Sequence, residues 1–189
     1  MKNILFLLFA LLVFSSQTNA GDKNKKTKTA KTTEAAIDTS EIKWMTIDEV
    51  QVAMKKEPRK VFMDVYTDWC GWCKVMDKKT FTNKELIKYL NTKFYSVKLN
   101  AEHKDEIRFM GKMYKLSSDN RTHELAVELL KGYMSYPSTI VMEENFQNPQ
   151  AIQGFQEASF FEVVLKYLGE NIYKTQGFED FKKEYSTVW

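Results

Sequence analysis

Cysteine is almost missing from this chain of 189 residues: there are two, Cys70 and Cys73, in the stretch Trp69-Cys70-Gly71-Trp72-Cys73-Lys74. A disulfide steadies a fold chiefly by restricting the unfolded chain, and the effect grows with the loop it closes. A bridge between neighbours this close encloses almost nothing. The pair therefore excludes a stapled scaffold of the kind small secreted domains use, and it is placed for reaction rather than support. Histidine is as scarce, with only His103 and His123. Both fall in predicted helices far from the cysteines, which leaves a four-ligand zinc site without its ligands and a cysteine-histidine protease pair without a visible arrangement. The nine methionines are scattered at core positions such as Met54, Met63 and Met142, where they read as packing rather than as copper ligands. No metal is expected, and no cofactor beyond a redox-active Cys70–Cys73 disulfide.

A surplus of one charge is missing too, once the chain is divided. The formal net charge is +3, but residues 21–34 hold five lysines against Asp22 and Glu34. Without that segment and the first twenty residues, 22 basic side chains face 23 acidic ones. A nearly neutral body has no electrostatic footprint for nucleic acid, and the basic tail reads as a solvated tether. Long apolar runs are absent after residue 20. Before it, MKNILFLLFALLVFSSQTNA has a lysine near its start, an apolar core from Ile4 to Phe14 and small residues at Thr18 and Ala20, the pattern of a secretory signal. Such a core is shorter than the roughly 20 residues a spanning helix needs. The expectation is an exported protein, periplasmic or secreted, with no stable membrane insertion after signal removal; an uncleaved anchor is the alternative.

Residues 21–40, rich in Lys, Thr and Ala without hydrophobic period, cannot bury enough surface to offset the entropy of ordering them and read as a linker. Residues 41–189 remain, about 150 in number, which suits one domain. Few Gly and Pro beside plentiful Phe and Tyr argue for a compact body.

Within it, Thr46 and Glu49 have the spacing of a capping box, and Ile47, Val50 and Met54 recur at helical spacing up to Pro58. Lys60 to Tyr66 is a short run of bulky apolar residues, as a strand buried on both faces must be, interrupted only by Asp64. The cysteines follow at the head of a predicted helix ending near Lys79. Thr82 with Glu85 predicts a second capping box and helix, and Phe94 to Leu99 a second strand. Between Glu102 and Lys131 two helices are expected, one striped by Ile107, Met110 and Tyr114, the other by Leu125, Ala126, Leu129 and Leu130. Ser138–Met142 and Ala151–Phe155 form a predicted hairpin. Ser159 with Glu162 predicts a third capping box opening a helix that Gly169 can cap, and Phe178 to Tyr185 a last amphipathic segment. Helices and strands in this order give an α/β fold with a mixed sheet.

The first turn of a helix has unpaired amides and a partial positive charge, which favour a thiolate. Cys70, nearest that end and expected to be the more exposed, is the candidate nucleophile, with Cys73 buried behind it to resolve the mixed disulfide.

From about Trp44 to Leu168 the chain resembles the thioredoxin superfamily. Trp69-Cys70-Gly71-x-Cys73-Lys74 looks like its active site, with Trp72 replacing the usual proline. The resemblance implies a thioredoxin fold, a central mixed sheet flanked by helices, here with a helical insertion before the cis-proline and an extra C-terminal helix. It implies that Asp64 is the buried carboxylate that moves the proton of the second cysteine and that Lys98 pairs with it; read from the residues alone, the two are a core carboxylate and a surface lysine. It places Pro137 as the cis-proline, Tyr136 as the residue whose backbone pairs with a bound peptide, and Gly154 as the glycine that keeps the groove open. Trp69, Gly71 and Trp72 complete the candidate binding surface. The pattern is similar to the reductase branch of exported thioredoxin-like proteins in bacterial envelopes. That implies protein or peptide disulfide substrates and, for a reductase, a membrane-embedded electron donor. A disulfide oxidase or isomerase, and a non-catalytic thioredoxin-fold binding module, are the other readings.

Overall fold

The structure, a computed structural model, describes residues 39–118 and 121–189; the expected signal segment and nearly all of the linker lie outside them. Among the described residues, seven strands and six α-helices follow in chain order: β1 (Trp44–Met45), α1 (Ile47–Lys56), β2 (Lys60–Tyr66), α2 (Gly71–Lys79), α3 (Lys84–Lys93), β3 (Phe94–Asn100), β4 (Ile107–Phe109), β5 (Lys112–Tyr114), α4 (Glu124–Leu129), β6 (Ser138–Met142), β7 (Gln150–Gln153), α5 (Ala158–Gly169) and α6 (Phe178–Glu184).

Five strands make one sheet in the order β1-β3-β2-β6-β7, with β1, β3 and β2 parallel and β6 and β7 antiparallel to their neighbours. The central strand β2 is apolar on both sides because both sides are covered. Val61, Met63 and Val65 join Val97, Leu99, Ile140 and Met142 in a cluster completed by α1, α4 and the β4–β5 hairpin. Phe62 and Val141 face the other way, into a cluster built from α2, α3 and α5 around Met76, Leu86, Leu90, Phe161 and Leu165. The cysteine pair sits where β2 gives way to α2, at the end of the central strand.

Helix α1 begins as its sequence predicts: the Glu49 amide donates to Thr46 Oγ1 at 3.2 Å and the Thr46 amide to Glu49 Oε2 at 2.8 Å. The other two expected capping boxes do not form. Asn83 caps α3, its Oδ1 accepting from the amides of Glu85 and Leu86 at 3.0 Å, while Thr82 donates back to Lys78 O. Helix α5 starts one residue before Ser159, and Glu162 is fully buried, accepting from the Tyr185 hydroxyl and the amides of Val188 and Trp189. Gly169 is the last residue of α5 rather than its cap, and the left-handed turn falls on Asn171 at φ 60°.

The larger correction concerns residues 107–114, which form the β4–β5 hairpin and not a helix. Its two-residue turn, Met110-Gly111, has φ of 50° and 84°; a tight hairpin needs positive φ at both central positions, and glycine supplies one of them without strain. The second expected helix is present as α4. The insertion is thus a hairpin plus a short helix.

Candidate active site

Cys70 is the N-cap of α2, and its sulfur accepts from the Cys73 amide at 3.0 Å. No acidic side chain stands in the first turn of that helix, so nothing there offsets the pull of free amides on a sulfur anion. The two sulfurs are joined in a disulfide with Cα atoms 5.3 Å apart. Each cysteine is 4% exposed, which corrects the expectation that Cys70 is the more open of the two. The asymmetry is electrostatic: the helix-end amide points at Cys70.

Asp64 lies mid-strand on β2, opposite Lys98 on β3 and Thr139 on β6, so one rung carries three polar side chains across the middle of the sheet. Asp64 is 1% exposed. Burial pushes its carboxyl up to about 6, against the Lys98 ammonium, which sits 3.1 Å from Oδ2 and limits the rise, while Asp77 adds to it. Asp64 Oδ1 and Thr139 Oγ1 have no hydrogen-bond partner among the described residues.

Lys98 is shared. Its Nζ reaches Asp77 Oδ1 on α2 at 2.6 Å and lies 4.8 Å from the Tyr66 ring centroid and 5.2 Å from that of Trp44, distances at which an ammonium is attracted to aromatic faces. Burial lowers the pKa of this lysine, but the Asp64 carboxylate and the hydrogen bond to Asp77 outweigh that and leave it above its ordinary value. Asp77 was missed in the sequence because nothing in its spacing ties it to a lysine 21 residues on.

The Tyr136–Pro137 peptide is cis, as expected, and precedes β6. The Pro137 carbonyl accepts from the Gly154 amide at 2.8 Å. Gly154 has φ 81°, and a Cβ added there would stand in open space. Trp69 and Trp72 are 66% and 62% exposed. The Trp69 ring stands edge-on to Tyr136 with centroids 6.0 Å apart, and its Nε1 donates to Glu102 Oε1 at 2.9 Å. Trp72 leans on Phe155 at 5.6 Å. Gly71, between the cysteines, is exposed. The structure thus gathers Trp69, Cys70, Trp72, Cys73, Tyr136, Pro137 and Gly154 at one end of the sheet, with Asp64 and Lys98 on the rung behind. Glu102 and Phe155 join them; both contacts are tertiary and leave no periodic trace in the sequence.

The histidines are not in helix interiors. His123 is fully buried as the N-cap of α4, its Nδ1 accepting from the Leu125 amide at 3.3 Å, and its ring lies 6.1 Å from that of His103 in the turn after β3. Among the described residues no group of three or more His, Cys, Asp or Glu side chains could hold a metal ion, and no helix is long and apolar enough to cross a membrane.

Comparison with known proteins agrees with this geometry. The thiol:disulfide interchange protein DsbD of Pectobacterium atrosepticum is 30% identical over 91 residues, 48% of this chain and 15% of that protein. Spermatogenesis-associated protein 20 of Homo sapiens is 32% identical over 53 residues, 28% of this chain and 7% of that protein. The chain thus spans only a small part of the length of these relatives. Among solved structures, a thioredoxin-fold protein from Helicobacter pylori superposes with a TM-score of 0.51 at 19% identity, over 67% of this chain and 79% of that one, a likeness of fold. The sequence profile of one family matches residues 30–162. That match covers well over half of the chain, and the protein belongs to the thioredoxin-like family Thioredox_DsbH, described as a protein of unknown function, DUF255.

Proposed function

We propose that this protein is an exported thiol-disulfide oxidoreductase that reduces disulfides in other exported proteins. The observation that supports it above all is the Cys73 amide directed at the Cys70 sulfur from the first turn of α2, next to Trp69, whose ring meets Tyr136 of the cis peptide. In the dithiol form, the Cys70 thiolate attacks one sulfur of a substrate disulfide, forming a mixed disulfide and expelling the first substrate thiolate, which takes up a proton. Cys73 then loses its proton to the Asp64 carboxylate and attacks the Cys70 sulfur. The second substrate thiolate leaves and is protonated, and the Cys70–Cys73 bond closes. Two electrons and two protons have passed to the substrate. A carboxyl with a pKa of about 6 is ionised at neutral pH and can accept that proton; Lys98 holds it there.

A reductase in an oxidising compartment must be recharged, so the cycle needs a dithiol donor fed from the cytoplasm, and the resemblance to envelope reductases supports a membrane-embedded one. In this reading residues 1–20 direct export, residues 21–40 tether the domain, and residues 41–189 carry the chemistry without metal or other cofactor.

The decisive experiment is a Cys73→Ser variant expressed with its native leader. It should freeze mixed disulfides through Cys70 and so deliver the substrates covalently bound. A Cys70→Ser variant should trap none and should lose turnover of model disulfides. Partner capture without any mixed disulfide, together with no turnover by the wild type, would leave a binding module instead. Equilibration with glutathione assigns direction: a strongly reducing potential fits the reductase, and one near the oxidising end of the superfamily an oxidase or isomerase.

A further inference from the structure

The rung through Asp64 is furnished unevenly. On its β3 flank the Lys98 ammonium takes Asp64 Oδ2 at 3.1 Å, and on its β6 flank Thr139, 0% exposed, stands directly opposite in the antiparallel pairing. Side chains alternate in facing along a strand, so Asp64 and Thr139 share the side of the sheet on which Phe62 and Val141 meet α2, α3 and α5. Opposed residues of an antiparallel pair have Cβ atoms about 4.5–5.5 Å apart, near enough for a hydroxyl to reach a carboxylate by turning about χ1. Yet with the disulfide closed, Asp64 Oδ1 and Thr139 Oγ1 each lack a hydrogen-bond partner among the described residues. Buried polar atoms are seldom left so, and two on one rung can satisfy each other. The other such buried hydroxyls stand elsewhere: Ser96 opposite Phe62, Thr67 past the end of β2 and Tyr173 past the end of α5. The titratable groups that act with Asp64 are Lys98 on β3, Asp77 on α2, Tyr66 on β2 and, once the disulfide opens, Cys73 on α2. Strand β6 brings no charge to it.

We propose that Thr139 is a positioning residue for the proton step of the exchange, its hydroxyl pairing with Asp64 Oδ1 in both protonation states of the carboxyl. This rests on the disulfide-exchange reading above and adds a residue to it. An ammonium only donates, so Lys98 suits the ionised carboxylate and has nothing to offer an acid proton. A hydroxyl both donates and accepts. Thr139 donates to Oδ1 while Asp64 is charged, then turns its O–H away and accepts once Oδ1 carries the proton. The proton thereby belongs on Oδ1, the oxygen that Lys98 does not hold. In the resolving step the Cys73 S–H bond breaks and its proton passes to Asp64 Oδ1. The electron pair stays on the Cys73 sulfur, which bonds to Cys70 as the substrate thiolate leaves. Thr139 ends the step unchanged.

The test is carbon-13 NMR of the Asp64 carboxyl in the oxidised protein, with Thr139→Val, which keeps the shape and loses the hydroxyl, beside Thr139→Ser, which keeps the hydroxyl. A hydrogen bond to a charged group is stronger than one to a neutral group, so Thr139→Val should raise the midpoint by about half to one pH unit. Thr139→Ser should stay within about 0.2 unit of the wild type, since its hydroxyl can make the same bond. Should valine not be accommodated, Thr139→Ala against Thr139→Ser makes the same comparison. In the dithiol form, mixing with the disulfide of thionitrobenzoate releases one thionitrobenzoate as Cys70 attacks and a second as Cys73 resolves. The acid limb of the second phase should move upward in pH with the Asp64 midpoint in Thr139→Val and hold its place in Thr139→Ser. An unmoved midpoint in Thr139→Val would overturn the pairing. Equal shifts in the valine and serine variants would overturn it as well, because packing and not the hydroxyl would then be the cause. A midpoint that moves while the acid limb stays would remove Thr139 from the proton step. Absence of any second phase in the wild type would instead sink the exchange reading, on which the midpoints of the oxidised protein do not depend.

Discussion

Replacing Asp64 by asparagine tests how this site is built more directly than any activity assay. Folding moves the Asp64 carboxyl from an ordinary 3.8 to about 6, because burial penalises the charged form more than Lys98 rewards it. At ~1.4 kcal/mol for each pH unit between those two values, the ionised group costs the native state ~3 kcal/mol at neutral pH. The sign follows from proton counting. Between the two pKa values the native protein holds a proton that the unfolded chain has released, so stability from this group is complete below 3.8 and is lost as the pH rises through about 6. Asparagine does not titrate. Urea unfolding of the oxidised wild type and of Asp64→Asn should therefore give curves whose separation changes with pH, the variant gaining ~3 kcal/mol on the wild type between pH 3.5 and pH 7.5. Differences that do not depend on pH, such as the altered hydrogen bonding around Lys98, appear equally at both ends and drop out of the comparison. For a domain of this length that gain corresponds to roughly 6–12 °C in Tm at pH 7.5. Curves that stay parallel across the range would refute the reasoning, since Asp64 would then titrate alike in the folded and unfolded chain.

Three further outcomes follow from contacts described above. Asp77→Asn removes a negative charge that raises the Asp64 pKa and frees Lys98 for Asp64 alone, so carbon-13 NMR of the Asp64 carboxyl should show a midpoint below the wild-type value; a rise would mean that Lys98 had been pulled away instead. Burial lowers the pKa of His123, so the unfolded chain binds its proton more readily; the stability this residue brings is present above its ordinary 6.5 and is lost as the pH falls through its folded value. His123→Ala should flatten that stretch of the stability profile in thermal unfolding and, through the lost N-cap, cost about 1 kcal/mol above pH 7. Gly169→Ala places a methyl group 2.7 Å from the Tyr89 hydroxyl and 3.2 Å from the Phe94 ring, so it should destabilise by about 1–3 kcal/mol in urea although alanine is the better helix former; a neutral result would show that Tyr89 swings aside.

Elements whose signals are local were legible in the sequence. The capping box at Thr46 and Glu49, the doubly buried strand around Asp64, the cysteine pair at a helix head and the strand after Pro137 each depend on residues a few positions apart. The misread elements had two local answers, and packing chose between them. Ile107, Met110 and Tyr114 satisfy a helical stripe, yet Met110 is 55% exposed at the hairpin turn, and Phe109 with Tyr114 enters the core instead. The spacing of Thr82 to Glu85 offered one cap and Asn83 another, and the asparagine carboxamide took both amides. Glu162 looked like half of a cap but serves the C-terminal residues, a partnership spanning 26 positions that no local pattern encodes. The same limit hid Asp77, Glu102 and Phe155 from the site. Resemblance carried Lys98 to its carboxylate, and composition could not, because the lysine acquires its meaning only when β3 lies beside β2.

The rung that joins Lys98, Asp64 and Thr139 has a consequence for how the sheet finds its alignment. Sliding β2 by a single residue against its neighbours would turn the carboxylate to the opposite side and offer the ammonium Met63 or Val65 instead. A misaligned sheet would leave the ammonium with Asp77 alone and put an acid among leucines and valines. The pairing that sets Lys98 against Asp64 is thus also a proofreading mark for assembly, and a chain that folds out of step forfeits that ion pair.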